Sequence, residues 1–138
     1  MLVHGACHCG NITFDLEWPD GVVVQPRACS CTFCQKHGAT WTAHPDAVLS
    51  VRIVDAARAA RYRFGTRTAD FHVCATCGVV PLCTGEMDGR LHAVVNTRTF
   101  EGIGPLPDPV VVDFEGEQAS DRLGRRARHW IARVTLAS

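Results

Sequence analysis

The sequence predicts a mainly β protein in which two small antiparallel sheets are pinned together by four cysteines, with a helix at the C-terminal end. Three observations carry this. Apolar and polar residues alternate in several short runs, the period of half-buried strands. Seven of the eight cysteines fall in three tight clusters, two of them far apart along the chain. Only the stretch 120–131 repeats its apolar positions with the period of a helix.

In chain order, Ile12, Phe14 and Leu16 alternate with Thr13, Asp15 and Glu17, which makes a half-buried strand. Trp18-Pro19-Asp20-Gly21 is a turn, and Val22 to Gln25 begins a second strand running toward Cys29. Thr32 to His37 is one helical turn stopped by Gly38, and Leu49, Val51 and Ile53 alternate as a further strand. Asp55 to Ala60 favours a short helix on propensity, after which Arg61 to Phe64 is extended. Val79 to Cys83 and Leu91 to Val95 straddle Glu86-Met87-Asp88-Gly89, whose Asp-Gly pair is a hairpin signal.

Gly102 to Pro109 is rich in glycine and proline and reads as an irregular loop, and Val110 to Phe114 as a last strand. Leu123, Ala127, Trp130, Ile131 and Val134 recur at the helix period. They place a helix from about Ser120 to Ile131, with Ser120 as N-cap, Asp121 in the first turn, Arg128 and His129 in the last, and Trp130 against the sheet.

A chain of 138 residues with 46% hydrophobic content is expected to be one domain spanning 1–138. A chain of about 150 residues buries about 70% of its unfolded surface, so a core needs no covalent staples. The formal net charge is zero, which argues against a nucleic-acid or membrane-surface partner. No window approaches the ~20 apolar residues of a membrane span, and Met1 to Gly5 carries no basic or apolar leader signal. A reduced, cytoplasmic setting is therefore expected, in which thiols stay available for metal. Nothing in the sequence speaks to oligomeric state.

The cysteine spacings carry the chemistry. Cys29-Ser30-Cys31-Thr32-Phe33-Cys34 sets three thiols within one C-x-C-x-x-C run. Tetrahedral zinc takes thiolates at about 2.3 Å and tolerates such short chelate loops. Cys7-His8-Cys9-Gly10 and Cys74-Ala75-Thr76-Cys77-Gly78 supply four more thiols, enough for a closed site. Structural zinc sites are closed by four protein ligands, whereas catalytic ones keep a position open. The count of four plus three thus predicts two zinc ions per chain, one structural and one working, with Cys83 left over as a small buried hydrophobe.

Three other readings compete. A disulfide framework is set back by a cysteine density below the 8–10% of disulfide scaffolds. A thioredoxin-like redox pair is set back by Gly78-Val79-Val80-Pro81-Leu82, which reads as a strand where such a motif opens a helix. Buried, unreactive cysteines would not cluster three times at ligand spacings. Among metals, zinc stands ahead of an iron–sulfur cluster.

The ordered set Gly5-Ala6-Cys7-His8-Cys9-Gly10, the trio with Gln35-Lys36-His37-Gly38-Ala39 behind it, and Phe71-His72-Val73-Cys74-Ala75-Thr76-Cys77-Gly78 resembles the glutathione-dependent formaldehyde-activating enzyme family, which includes centromere-protein-V-like members. The resemblance covers nearly the whole chain. It implies a fold shared with a Rab-releasing zinc protein, a structural zinc on Cys7, Cys9, Cys74 and Cys77, and a catalytic zinc on Cys29, Cys31 and Cys34. It also implies a carbon–sulfur lyase of the S-hydroxymethylglutathione synthase type, joining glutathione to formaldehyde.

On the residues themselves, zinc held by three thiolates is a weak Lewis acid but binds a fourth sulfur well, keeping it as thiolate. Such a sulfur adds to an aldehyde carbon. The expected activity is a zinc-dependent carbon–sulfur lyase or thiol-adduct enzyme acting on glutathione or another small thiol. The alternative is a non-catalytic two-zinc module that binds a protein or nucleic-acid partner. His37 is a candidate fourth ligand or proton shuttle, while His8, between two ligands, should point away from the metal. Arg27 and Lys36 flank the trio and are candidates for glutathione carboxylates. Trp41 and His44 are candidate pocket walls. Arg122, Arg125, Arg126, Arg128 and Arg133 read as a solvated helix face, offset by Asp113, Glu115, Glu117 and Asp121.

Overall fold

The computed structural model describes residues 1–138. The strands in chain order are β1 (Leu2–Ala6), β2 (Ile12–Glu17), β3 (Arg27–Cys29), β4 (Trp41–Thr42), β5 (Val48–Ile53), β6 (Ala59–Tyr62), β7 (Asp70–Cys74), β8 (Leu82–Met87), β9 (Arg90–Asn96), β10 (Phe100–Glu101), β11 (Val110–Val112) and β12 (Arg133–Ala137). Helix α1 (Thr32–His37) follows β3, and α2 (Ala119–His129) precedes β12. The strands form two sheets, ordered β10-β1-β2-β5-β12 and β11-β3-β4-β9-β8-β7-β6. The mainly β class, the two sheets and the C-terminal helix are as the sequence predicts.

Neither sheet is purely antiparallel. β11 runs parallel to β3 and β12 parallel to β5, each at a sheet edge. Both are late strands that return after long connections, a geometry that no hairpin signal announces. The strand β12 also corrects the reading of Val134 as helical. α2 stops at His129, and Val134 and Leu136 then alternate half-buried with exposed neighbours. The helix begins one residue before the expected N-cap: Gln118 occupies that position without a side-chain hydrogen bond.

Strand starts shift at prolines. Val22 to Gln25 is not a strand, since β3 begins only after Pro26, whose missing N–H and locked φ break a ladder. Likewise Val79 and Val80 precede β8, which begins after Pro81. The stretch 55–60 makes a single 3₁₀ turn, Ala56–Arg58, before β6. Thr32–His37 and its stop are as expected, with Gly38 at φ 65° closing the helix onto Cys34 and Gln35 carbonyls. The Asp88-Gly89 turn has φ of 55° and 72°, the two left-handed residues of a type I′ hairpin.

The core lies between the sheets. Ile12, Phe14 and Leu16 of β2 face Leu49, Val51 and Ile53 of the paired β5, all buried. Burying such side chains contributes roughly 1.5–3 kcal/mol each. Phe14 fills the space over Gly5: a Cβ there would stand 2.1 Å from the ring. Ala93 of β9 exchanges backbone hydrogen bonds with Ile131 at 3.0 and 2.9 Å, which ties the second sheet to the segment leading into β12. A smaller cluster of Cys34, Ala39, Trp41, Cys83, Met87 and Trp130 lies outside that core, between the second sheet and α2. No helix is long and apolar enough to cross a membrane.

Candidate functional site

Two groups of thiols converge. Cys7 and Cys9 sit in the turn after β1, Cys74 ends β7, and Cys77 sits in the turn that follows it. Each turn is folded by the same device. Cys7 N–H reaches Ile12 O at 2.9 Å and Gly10 N–H returns to Cys7 O at 3.1 Å. Cys74 N–H reaches Val79 O at 3.0 Å and Gly78 N–H returns to Cys74 O at 2.8 Å. Gly10 and Gly78 hold φ of 84° and 80°, left-handed values that a side chain would oppose. The four sulfurs all lie within 4.8 Å of one another, joining the first sheet to the second.

Their spacing fits a tetrahedral metal. Bonds of about 2.3 Å imply sulfur–sulfur edges of about 3.8 Å; Cys7 and Cys9 are 3.9 Å apart and Cys9 and Cys74 3.5 Å. A disulfide would need about 2.05 Å, and all eight cysteines are free. Ile12 N–H points at Cys7 Sγ from 3.3 Å and Cys77 N–H at Cys74 Sγ from 3.5 Å. Burial pushes the Cys7 thiol up to about 11. Burial acts on Cys77 in the same sense, but backbone N–H groups of Val79 and Cys9 hold it down to about 6. His8 is exposed and stands outside the group, as its position between two ligands implies.

The trio is strung over a strand end and a helix start. Cys29 ends β3, Cys31 is the N-cap of α1, and Cys34 is buried within its first turn. Cys34 N–H donates to Cys31 Sγ at 3.4 Å, and Gln35 Nε2 braces the turn on Ser30 O at 2.7 Å. Ser30 N–H bonds Val112 O at 2.9 Å, which extends the β3–β11 pairing to the site. These three sulfurs also lie within 4.8 Å of one another, and no fourth cysteine, histidine or carboxylate joins them. The Cys29 thiol is held below its ordinary range. The Cys34 thiol beside it, the Cys31 backbone N–H and the Arg122 charge together bring it to about 5, while Cys34 is pushed up by Cys29 and by burial.

The trio opens on a cavity of about 740 Å³. Its floor is the second sheet, with Trp41, Phe71, Cys83 and Val94; its far wall is Phe114 and α2. The sequence reading of the arginines needs correction here. Arg128 and Arg133 are exposed, but Arg122 and Arg125 are half-buried and Arg126 is buried. All three line the cavity, together with His129. Glu117 accepts from Arg125 at 3.1 Å and lies 3.7 Å from Arg122, while Arg125 also stacks over Phe114 at 3.6 Å. The spacing 122, 125/126, 129 is itself a helix face, adjacent to the Leu123/Ala127/Trp130 face, and was the available signal.

Other candidates sort plainly. Arg27 and Trp41 line the cavity; Lys36, His37 and His44 do not. His37 is exposed and packs on Phe33, ring centroids 4.5 Å apart, and His44 packs edge-on to Trp18 at 5.8 Å. Cys83 is buried on the cavity floor, where burial pushes its thiol well up, and it stays outside the trio.

A family model described as glutathione-dependent formaldehyde-activating enzyme matches residues 2–111. A structural-genomics crystal structure of a Rhodobacter sphaeroides protein is similar at 31% identity and a TM-score of 0.60, covering 79% of this chain and 99% of that one. No curated protein matches the sequence.

Proposed function

The chain belongs to the glutathione-dependent formaldehyde-activating enzyme family, and from that premise we infer that it is a zinc-dependent carbon–sulfur lyase that adds a small thiol, glutathione foremost, to an aldehyde such as formaldehyde. The supporting observation is the trio: three converging thiols, no fourth protein donor, and a cavity in front of them.

In this reading Cys7, Cys9, Cys74 and Cys77 hold a structural zinc and Cys29, Cys31 and Cys34 a second, which makes two per chain. The donor sets fit: both are all-sulfur and free, the trio sulfurs lie within 4.8 Å of one another, and the Cys7–Cys9 and Cys9–Cys74 separations are close to a tetrahedral edge. When bound at the trio, zinc supplies stabilisation of the deprotonated form of an incoming thiol. The rest falls to the chain. Backbone N–H and Trp41 N–H donors hold Cys31 and Cys34 in place. Trp41, Phe71 and Phe114 give an apolar lining to the place where sulfur and aldehyde meet. There the sulfur forms a bond to the carbonyl carbon and the C=O pair moves onto oxygen. The thiol has given one proton to solvent and the oxygen takes one back, so RSH and R′CHO yield RS–CH(OH)R′ with nothing left over. The reverse sequence cleaves the same carbon–sulfur bond. With no membrane-crossing helix and reduced thiols, a cytoplasmic setting is part of the proposal.

The test is glutathione binding to cobalt-substituted protein. Glutathione should alter the sulfur-to-metal charge-transfer bands, with affinity rising as pH rises and its thiol ionises. S-methylglutathione, which cannot form a thiolate, should bind far more weakly and leave the bands unchanged. Unchanged bands at saturating glutathione, or equal affinity for both, would instead favour a two-zinc interaction module.

A further inference from the structure

Arg126 is the one buried cation of the cavity wall, and it has no anionic partner. Arg122 and Arg125 share Glu117. Arg126 is buried, 8% exposed, and forms no ion pair. Its Nη1 donates to the neutral Thr68 hydroxyl at 2.9 Å, its guanidinium lies over the Trp130 ring at 4.8 Å, and its Nε has no hydrogen-bond partner at all. A guanidinium does not shed its proton in a protein, so burial leaves a full charge whose desolvation a hydroxyl and an indole face offset only in part.

Nor do the trio sulfurs supply the missing anion. The one side-chain hydrogen bond that Arg126 makes goes to Thr68, and it donates none to a trio sulfur. What remains is the cavity itself, which Arg126 lines. A buried, unpaired guanidinium on the wall matches a carboxylate, because its planar fork suits carboxylate geometry. Arg126 stands on α2, outside the residues 2–111 that match the family model.

Resting on the reading of the trio as a thiol-binding centre, we propose that Arg126 receives a carboxylate of the incoming thiol and makes the cavity selective for acidic thiols. It is a specificity-determining residue: it holds the substrate's far end while the sulfur stands at the trio. Neutral thiols of the same length reach the trio but leave Arg126 unpaired.

The experiment compares glutathione with its dimethyl ester on cobalt-loaded wild type, R126Q and R126K, by calorimetry and by the charge-transfer bands. Wild type should bind glutathione about 10- to 100-fold more tightly than the ester, the range for a charge-assisted hydrogen bond. R126Q should lose that preference while binding the ester as wild type does. R126K, which keeps the charge without the fork, should fall between. Equal wild-type affinity for the two ligands overturns the proposal and needs no variant, so a misfolded R126Q leaves it testable. Equal weakening of both ligands in R126Q overturns it too, because that marks a purely structural role. If neither ligand perturbs the bands in wild type, the thiol-binding reading of the trio falls first and this proposal with it.

Discussion

The indole N–H of Trp41 donates to Cys34 Sγ across 3.3 Å, a bond that runs from the middle of the second sheet to the most buried thiol of the trio. Trp41 pairs with Arg27 on one side and Asn96 on the other, so the donor is held by two strands. Partners of this kind orient a metal ligand and set its basicity, and their loss costs about 10- to 100-fold in metal affinity. W41F keeps a ring and removes the donor. Metal at the trio should then pass to a competing chelator at about 10-fold lower chelator concentration, with the four-cysteine metal unaffected. Equal loss from both sites would mean that Trp41 acts on the whole fold instead.

The two cysteine groups should separate by what they do to stability. Cys77→Ser removes a tie between the sheets and should cost several kcal/mol or prevent soluble folding, because structural zinc contributes folding free energy directly. Cys31→Ser should leave the thermal melt nearly unchanged and abolish glutathione binding. Metal analysis should give two zinc ions in wild type and one in Cys31→Ser. A wild-type content of one, with the trio freely alkylated in native protein, would remove the second site.

Much of this was legible because the signals were local. The C-x-C-x-x-C run fixes its own geometry: β3, the Cys31 cap and the Gly38 stop all lie within ten residues of Cys34. Period-two alternation placed β2 and β5 for the same reason. What escaped depends on long-range pairing. β12 holds Val134 because β5 offers a free parallel edge, and Arg126 is buried because Ile131 is fastened to Ala93, which draws the helix end onto the second sheet. A single-helix reading sees two charged positions on α2 as alike when one meets solvent and the other a cavity.

Gly5 is required by volume. Its φ is ordinary, but the site of a Cβ lies between 2.1 and 2.6 Å from three atoms of the Phe14 ring, and Phe14 is fixed in the core with Phe100 edge-on at 6.0 Å. G5A should therefore cost about 1–3 kcal/mol, the range for overpacking, read as a lower urea midpoint with an unchanged slope. The double variant G5A/F14L, which removes the ring, should recover part of the loss relative to the sum of the two single changes. Strict additivity would show that the ring is not what Gly5 accommodates.

Glu117 fastens the arginine face of α2, and its pH signature is specific. Hydrogen bonds from Arg125 hold its carboxyl below the usual carboxylate range. A group whose folded pKa is depressed contributes stability that is fully present above its unfolded value, about 4.3 for Glu, and lost as pH falls through the folded one. E117Q keeps the shape and loses the charge. The wild-type advantage over E117Q should be about 1 kcal/mol, the scale of a single partly exposed ion pair. It should stay constant from pH 8 to pH 5 in denaturant midpoints, because neither a carboxylate nor an arginine titrates there. Protonation of cysteine ligands is common to both proteins and cancels in the difference. An advantage that already shrinks between pH 7.5 and pH 6 would show that the Glu117–Arg125 pair is not what E117Q removes.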